Sequence, residues 1–577
     1  MKARLKNIKT RLVVIVSLVA VISFGFVSLK DKEFDIVKNL EIFVSLFNEL
    51  DRFYVDDTDP DKLIESAIDG MLTSLDPYTT YIPEEDMADF TFMTTGEYGG
   101  IGAQIRKAGD YAVIAEPFEN FPAHRAGLKA GDTILFIDGK ATKGLEISEV
   151  SNKLKGTPNT SLKLMVKRIG TREPIEKTVI RQQISVPNVP YYSMVENGIG
   201  YIRLSGFTKD AGKETKDALL KLKEQGAKSI VLDLRGNPGG LLIESVNVSN
   251  LFVKKNQEIV STRGKVKQWD NVYKTMTEPV DTTIPLVVLI NRGSASASEI
   301  VAGALQDLDR AVIIGQRTFG KGLVQTTRPV SYNSQLKVTT AKYYIPSGRC
   351  IQAVDYSHRN DDGSVGFIPD SLINEFSTLH GRKVFDGGGI SPDIPLEAAP
   401  IGDITISLYT KYLIFDFATL YAANNPSGSD VKDLKLDDSD YNKFVDFLKG
   451  KDYDYITDTD KQLEELMKTA KQEKYYDAAQ SEFNDLKTRL AHDKDKDLLT
   501  FKPEIKSLLY EEIASRYFYQ KGRIEASLSE DPELAKAVQV LKDPDTYAMV
   551  FDKAFGRNNT KAGMQNIDLI NSANRNQ

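Results

Sequence analysis

Between Ser193 and Leu396 the chain alternates short β-branched runs with amphipathic helical runs, and this alternation constrains the fold more than any other feature. "GIGYIRL", "SIVLDLRG", "PLVVLIN" and "RAVIIG" have the length and Val/Ile content of buried strands, while "AGKETKDALLKLKEQG" and "SASEIVAGALQDL" have a helical period. That order predicts an α/β layer around a largely parallel sheet. The texture differs on either side. From Phe92, β-rich runs such as "YAVIAEP" and "SLKLMVKR" are divided by glycines; after residue 400 only 6 of the 40 glycines remain, and long charged periodic stretches predict an all-helical region. At 577 residues the chain exceeds one core, so we expect a multidomain α/β protein. The texture shifts divide it into an N-terminal stretch (1–33), a helical segment (34–91), a β-rich module (92–185), an α/β core (186–400) and a helical C-terminal domain (401–577).

A net charge of −7, with no basic stripe among aromatics, excludes nucleic acid as a partner. The whole of that charge lies in the last 177 residues, which carry 25 basic and 32 acidic groups. A single cysteine, Cys350, excludes a disulfide framework and any multi-Cys metal site. Scattered His124, His358, His380 and His492 argue against a His-based zinc site or a Ser-His-Asp triad, so no metal is expected. At the N-terminus, Lys2, Arg4, Lys6, Lys9 and Arg11 precede Leu12–Leu29, which has no charge. As a helix this run spans about 27 Å, close to a bilayer core of roughly 30 Å. The flanking charges orient its start inward, which predicts a single-pass inner-membrane anchor with the remainder exported to the periplasm. A cleaved signal peptide is the alternative, although "SFGFVSLK" offers no small-x-small site. Phe34–Asp56 then reads as an amphipathic helix.

"YGGIGAQI" sets consecutive backbone N–H groups of Gly100, Ile101, Gly102 and Ala103 in a loop entering a strand, a geometry that captures a peptide's terminal carboxylate. "HRAGLKAGDTILFIDGKATKGL" follows with a short helix, a turn at Gly131-Asp132 and a strand pair around Asp138-Gly139. Residues 92–185 therefore resemble a PDZ domain of the bacterial, protease-associated kind. The resemblance implies a peptide tail added as a strand, its carboxylate near Gly100–Ala103.

"GQRTFGKG" matches a phosphate-binding loop until Gly322, where a Ser or Thr is required. The strand-like "LVQTTRPV" follows it, whereas a Walker lysine must open a helix. Nucleotide binding is therefore not expected. Upstream, Ser294, Ser296 and Ser298 alternate with alanines at a helix start, and Ser296-x-x-Glu299 has the spacing of a capping box. Alone, Ser296 reads as a helix cap. Beside a lysine on a glycine turn, it reads as a nucleophile with Lys321 as general base. For that, the lysine pKa must fall by about 3 from ~10.4, a difference of roughly 4 kcal/mol, through burial. "RTFGKGLV" contains no acid that would hold it charged. Gln325 shares a strand face with Lys321 if the segment is extended, and its amide can direct the amine. In "LDLRGNPGGLL", Gly239 and Gly240 can bring N–H groups to a ligand, and the Ala297 N–H is a further oxyanion donor.

Taken together, "DLRGNPGGLL", "GSASASEIVAGALQD", "GQRTFGKGLVQ", "TTAKYYIPSGRCIQ" and "GGGISPDI" resemble the carboxy-terminal processing (tail-specific) serine proteases, over roughly residues 60–396. The resemblance implies an ATP-independent endopeptidase with Ser296 as nucleophile, Lys321 as base and Gln325 as its partner; Ser294 and Ser298 are then not the nucleophile. It implies no cofactor, and protein tails as substrates. It also places Arg168 where some members make an activating contact from PDZ domain to catalytic core. Residues 355–383 depart from the pattern as a polar insertion. The terminal helices are candidates for a homodimer contact, and an adaptor or activator protein is a further expected partner.

Overall fold

The computed structural model describes residues 32–360, 363–425, 428–490 and 493–552. The expected anchor, Leu12–Leu29, lies outside the described residues, among which no helix is long and apolar enough to cross a membrane. Two compact units meet at Tyr81 in the sequence. The first contains a helix over residues 32–53, whose Phe34, Val37, Leu40, Phe43 and Leu50 are exposed. Its second helix, Pro60–Thr73, opens on a proline behind an Asp59 cap.

The second unit is built on a six-stranded sheet. Tyr191–Glu196 is an antiparallel edge; Ile199–Arg203, Ser229–Asp233, Leu286–Ile290, Val312–Gly315 and Ile394–Pro395 follow in that order, all parallel. Parallel strands are covered on both faces, which is why their sequences run apolar without alternation. Ile230, Leu232, Leu286 and Val288 face helices Ala211–Glu224, Leu242–Asn250 and Ala297–Asp307. Their neighbours Val231, Val287 and Leu289 face the other way and pack on Leu534, Ala537 and Val540 of helix Pro532–Lys542.

The C-terminal region is thus more than an appendage. One of its helices supplies the second cover of the sheet, because a parallel strand with two apolar faces needs two layers. The rest has its own core around Ile404, Leu408, Phe417, Phe444, Ile505 and Leu509. This helical body also holds the β-rich module. Arg106 pairs with Asp416 at 3.0 Å and lies over the rings of Tyr412 and Phe415, and Glu116 pairs with Arg523 at 3.1 Å.

The module itself is an antiparallel sheet ordered Ala103–Ala108, Tyr111–Pro117, Thr133–Ile137, Ser161–Lys167, Ile175–Ile180, with helix Ile147–Leu154 closing a core of Ile114, Ile134, Val150, Leu162 and Leu164. A second sheet beside the α/β core contains Leu323–Pro329, Gln335–Tyr344, Glu258–Gly264 and Asn271–Lys274. Much of the polar stretch 355–383 forms short hairpin strands, and Arg382 anchors it by pairing with Asp309 (2.7 Å) and Asp393 (2.5 Å).

Candidate active site

The strand Leu286–Ile290 ends in a loop that delivers the three serines to the start of helix Ala297–Asp307. Ser294 and Ser298 are fully buried, and their hydroxyls donate to backbone carbonyls of the neighbouring loop: Ser294 Oγ to Leu234 O (2.8 Å), Ser298 Oγ to Asn237 O (2.9 Å). These two hydroxyls sew the serine loop to the loop that follows strand Ser229–Asp233. Ser296, partly exposed, stands between them with φ 56° and ψ −113°, a left-handed backbone that a non-glycine residue adopts only under constraint.

Part of that constraint is Glu299. Its side chain is fully buried, and Oε2 accepts both the Ser296 N–H (2.7 Å) and the Lys321 N–H (2.9 Å). Oε1 accepts Thr318 Oγ1 (2.6 Å) and the Gly320 N–H (2.7 Å). Burial pushes this carboxyl up to about 7, and the four hydrogen bonds only partly oppose the shift. The Ser-x-x-Glu spacing thus serves both readings, since the capping glutamate also holds the lysine turn. The absence of acids in "RTFGKGLV" did not carry over into space, because Glu299 arrives from the helix.

Gly239 sits directly against this start. A Cβ there would meet Ala295 O at 2.7 Å, Ser296 Cβ at 2.8 Å and Ala297 N at 2.9 Å, and its φ of +97° likewise suits only glycine. Its own N–H is already donated to Asn237 Oδ1 at 2.9 Å, so its part is close approach and not donation. Gly240, with φ +148°, leans on Phe207, and Leu241 N–H donates to Phe207 O at 2.7 Å. Among the described residues no intramolecular acceptor takes up the Gly240 or Ala297 N–H. Gln325 lies in strand Leu323–Pro329 opposite Thr339, to whose hydroxyl its Nε2 donates at 3.1 Å. A bulge between Val324 and Gln325 breaks the simple alternation that a shared face with Lys321 requires.

The loop after strand Ser229–Asp233 is held from the sheet. Asp233 is fully buried and accepts Tyr201 Oη (2.6 Å), Arg203 (2.7 Å) and Arg235 (2.7 Å). Burial alone would raise its pKa; the two guanidiniums outweigh it and hold the carboxyl at about 2.

The sequence pattern of "Peptidase family S41" matches residues 198–359, the PDZ domain pattern residues 90–167, "Probable PDZ-protease, C-terminal helical domain" residues 404–541, and "Activating protease CtpB N-terminal domain" residues 27–86. The carboxy-terminal-processing protease of Bartonella bacilliformis is 42% identical over 346 residues, covering 59% of this chain and 76% of that protein. The chain belongs to the carboxy-terminal-processing proteases of peptidase family S41. The carboxy-terminal processing protease CtpA of Bacillus subtilis is 38% identical over 306 residues, 53% of this chain and 65% of that one. The chain is therefore a serine-type peptidase with a PDZ domain.

In this S41 peptidase the PDZ loop is tightly framed. Ile101 O accepts the Ala123 N–H (2.7 Å) and Gly102 O the Phe118 N–H (2.9 Å), while a Cβ on Gly102 would strike Phe121 at 2.5 Å. Ala103 opens the edge strand of the module, and Gly100 pairs with Gln182. Arg168 is not brought to the catalytic core. Its guanidinium grips the fully buried Asp132 through two 2.7 Å hydrogen bonds and caps Gly127 O, all within the PDZ domain. A buried carboxylate claims the nearest cation, and that demand was invisible from a basic residue at a strand end.

Sequence reasoning also missed two residues. Asn237, fully buried, orders the loop through Gly239 N–H and Leu204 O. Tyr343 donates its hydroxyl to Lys321 O at 2.7 Å and Ser296 O at 3.2 Å. Both lie inside motifs that carry the family resemblance, Asn237 in "DLRGNPGGLL" and Tyr343 in "TTAKYYIPSGRCIQ".

Proposed function

We propose that this chain is an exported, ATP-independent endopeptidase that captures C-terminal tails on its PDZ domain and cleaves through a Ser296–Lys321 dyad assisted by Gln325. The observation that carries this reading is the fate of the three serines. Two have buried hydroxyls committed to carbonyls, and the third is held in a strained turn whose backbone shares Glu299 and Tyr343 with the lysine turn.

Ser296 Oγ attacks the scissile carbonyl as its proton passes to the neutral Lys321 amine. The N–H groups of Gly240 and Ala297 receive the oxyanion, a pair of donors worth about 3 kcal/mol each in such sites. Collapse breaks the C–N bond, and the lysine ammonium returns its proton to the leaving amine. Water repeats the sequence on the acyl-enzyme and releases the new C-terminal carboxylate. Gln325, its amide N–H committed to Thr339, presents its carbonyl oxygen to the lysine amine. Residues 12–29 anchor the enzyme in the inner membrane with the catalytic part on the periplasmic side. Self-association through the terminal helices and an activating partner belong to the same reading.

The test compares protein from residue 34 onward with Ser296→Ala and Lys321→Ala, without ATP and with EDTA, on an unfolded protein bearing an apolar C-terminus. Cleavage by the parent and by neither variant, with all three folded, supports the dyad. Equal cleavage by all three refutes it.

A further inference from the structure

We infer that Tyr343 is a positioning residue for the reaction, one that fixes the spacing of Ser296 and Lys321 through their carbonyl oxygens. The inference rests on the Ser296–Lys321 reading above. The two residues are 25 positions apart, on a helix start and a glycine turn, so nothing in the chain itself sets their separation. Glu299 gathers their N–H groups on one carboxylate oxygen. Tyr343 does the complementary thing from another element, its single hydroxyl meeting Lys321 O at 2.7 Å and Ser296 O at 3.2 Å. Acceptor meets both donors, and donor meets both acceptors.

The ring that carries this hydroxyl is rigidly placed. Tyr343 is 1% exposed and packs in the core beneath helix Ala297–Asp307. Its backbone N–H donates to Gly322 O at 3.0 Å, the peptide next to Lys321, so main chain and side chain both grip the lysine turn. Burial raises the phenol well above its usual range, so the hydroxyl keeps its proton and acts as a donor throughout. Ser296 O also accepts the N–H groups of Glu299 (2.9 Å) and Ile300 (3.0 Å), and the shorter of the two Tyr343 contacts is the one to Lys321 O. Removing the hydroxyl takes its shorter contact away from the partly buried lysine turn, which is the part expected to shift.

Tyr343→Phe is the test, with Tyr441→Phe as control. Phe fills the ring volume, so the core keeps its packing. Tyr441 is also 1% exposed and donates to a backbone carbonyl, Leu498 O at 2.6 Å, far from the site in the C-terminal core. A serine-directed fluorophosphonate provides the readout, because its rate depends on activation of the hydroxyl and not on a bound tail. Each variant is labelled across pH at a temperature where circular dichroism shows it folded, and peptide cleavage supplies kcat and KM. Tyr343→Phe is expected to slow labelling and kcat by about tenfold or more, with KM within about twofold. The acid limb of the pH profile should move up by about half a unit, as a displaced lysine becomes better hydrated. Tyr441→Phe should lose comparable thermal stability and move neither readout. Glu299→Asp, which withdraws the carboxylate from the same pair, is the second variant and should act in the same direction. Wild-type rates and pH dependence in Tyr343→Phe would overturn the proposal. If the parent is not labelled at Ser296, or Ser296→Ala is labelled equally, the dyad reading itself fails and takes this inference with it.

Discussion

Arg235, two residues beyond strand Ser229–Asp233, is gripped by Asp531 of the C-terminal region through two hydrogen bonds of 3.0 and 2.5 Å. The same carboxylate caps helix Pro532–Lys542 by accepting Glu533 N–H and Leu534 N–H. One side chain thus ties the last layer of the sheet to the loop that faces Ser296. Asp531→Ala removes a largely buried ion partner and a helix cap together, and is expected to cost about 3 kcal/mol or more, read from the midpoint shift in urea. Deletion of residues after 527 should give protein that binds a hydrophobic dye and fails to unfold cooperatively, since it bares Val231, Val287 and Leu289.

The serines separate stability from activity. Ser298→Ala loses one hydrogen bond and Ser294→Ala two, since its hydroxyl also accepts the Asn291 N–H at 3.0 Å, so the expected falls are about 1 and about 2 kcal/mol with measurable cleavage retained. Ser296→Gly should be the reverse, with no activity but a gain of about 1 kcal/mol from relief of the left-handed strain. Thermal melts beside a cleavage assay decide this, and a Ser296→Gly protein no more stable than Ser296→Ala would count against it.

At Gly239, alanine places a methyl within 3 Å of Ala295 O, Ser296 Cβ and Ala297 N, forcing the helix start away from the loop. Gly239→Ala should lower kcat by on the order of 10²-fold, the scale of losing one oxyanion donor. KM should change little. A variant with parental kcat would mean that this contact does not shape the site.

Glu299 gives a signed pH dependence. Its pKa is raised from the usual 4.5 to about 7, so the folded state binds its proton more tightly than the unfolded chain. The corresponding stability is fully present below 4.5 and is lost as pH rises through about 7, by about 3 kcal/mol for this buried group. Glu299→Gln should be less stable at acid pH, because one amide oxygen cannot serve four donors. It should also flatten this slope, as urea unfolding at several pH values would show. An unchanged slope would place the carboxyl's titration elsewhere.

Arg168→Ala would strand Asp132 as an unpaired buried carboxylate, so the expected loss is about 3 kcal/mol, confined to the PDZ domain. Hydrogen exchange in the full chain should show protection falling across strands Thr133–Ile137 and Ser161–Lys167. Loss of activity with unchanged PDZ protection would instead restore a direct role toward the catalytic core.

The sequence by itself determined those features that depend on local periodicity and on residues close together in the chain. Apolar runs marked the strands, glycines marked the turns, and Ser296, Lys321 and Gly239 stood out because helix starts and tight turns accept few residue types. Its limits followed from the same locality. A count of acids around Lys321 could not include Glu299, and a basic residue after a strand could not reveal that Asp132 lay buried beside it. Only the tertiary structure decided which helix covers the second face of the sheet, which two serines are spent on carbonyls, and how Glu299 and Tyr343 share the backbones of two distant turns. Burial creates those relationships: once water is excluded, each buried donor, acceptor and charge must find a partner, and the nearest one is set by packing and not by position in the chain.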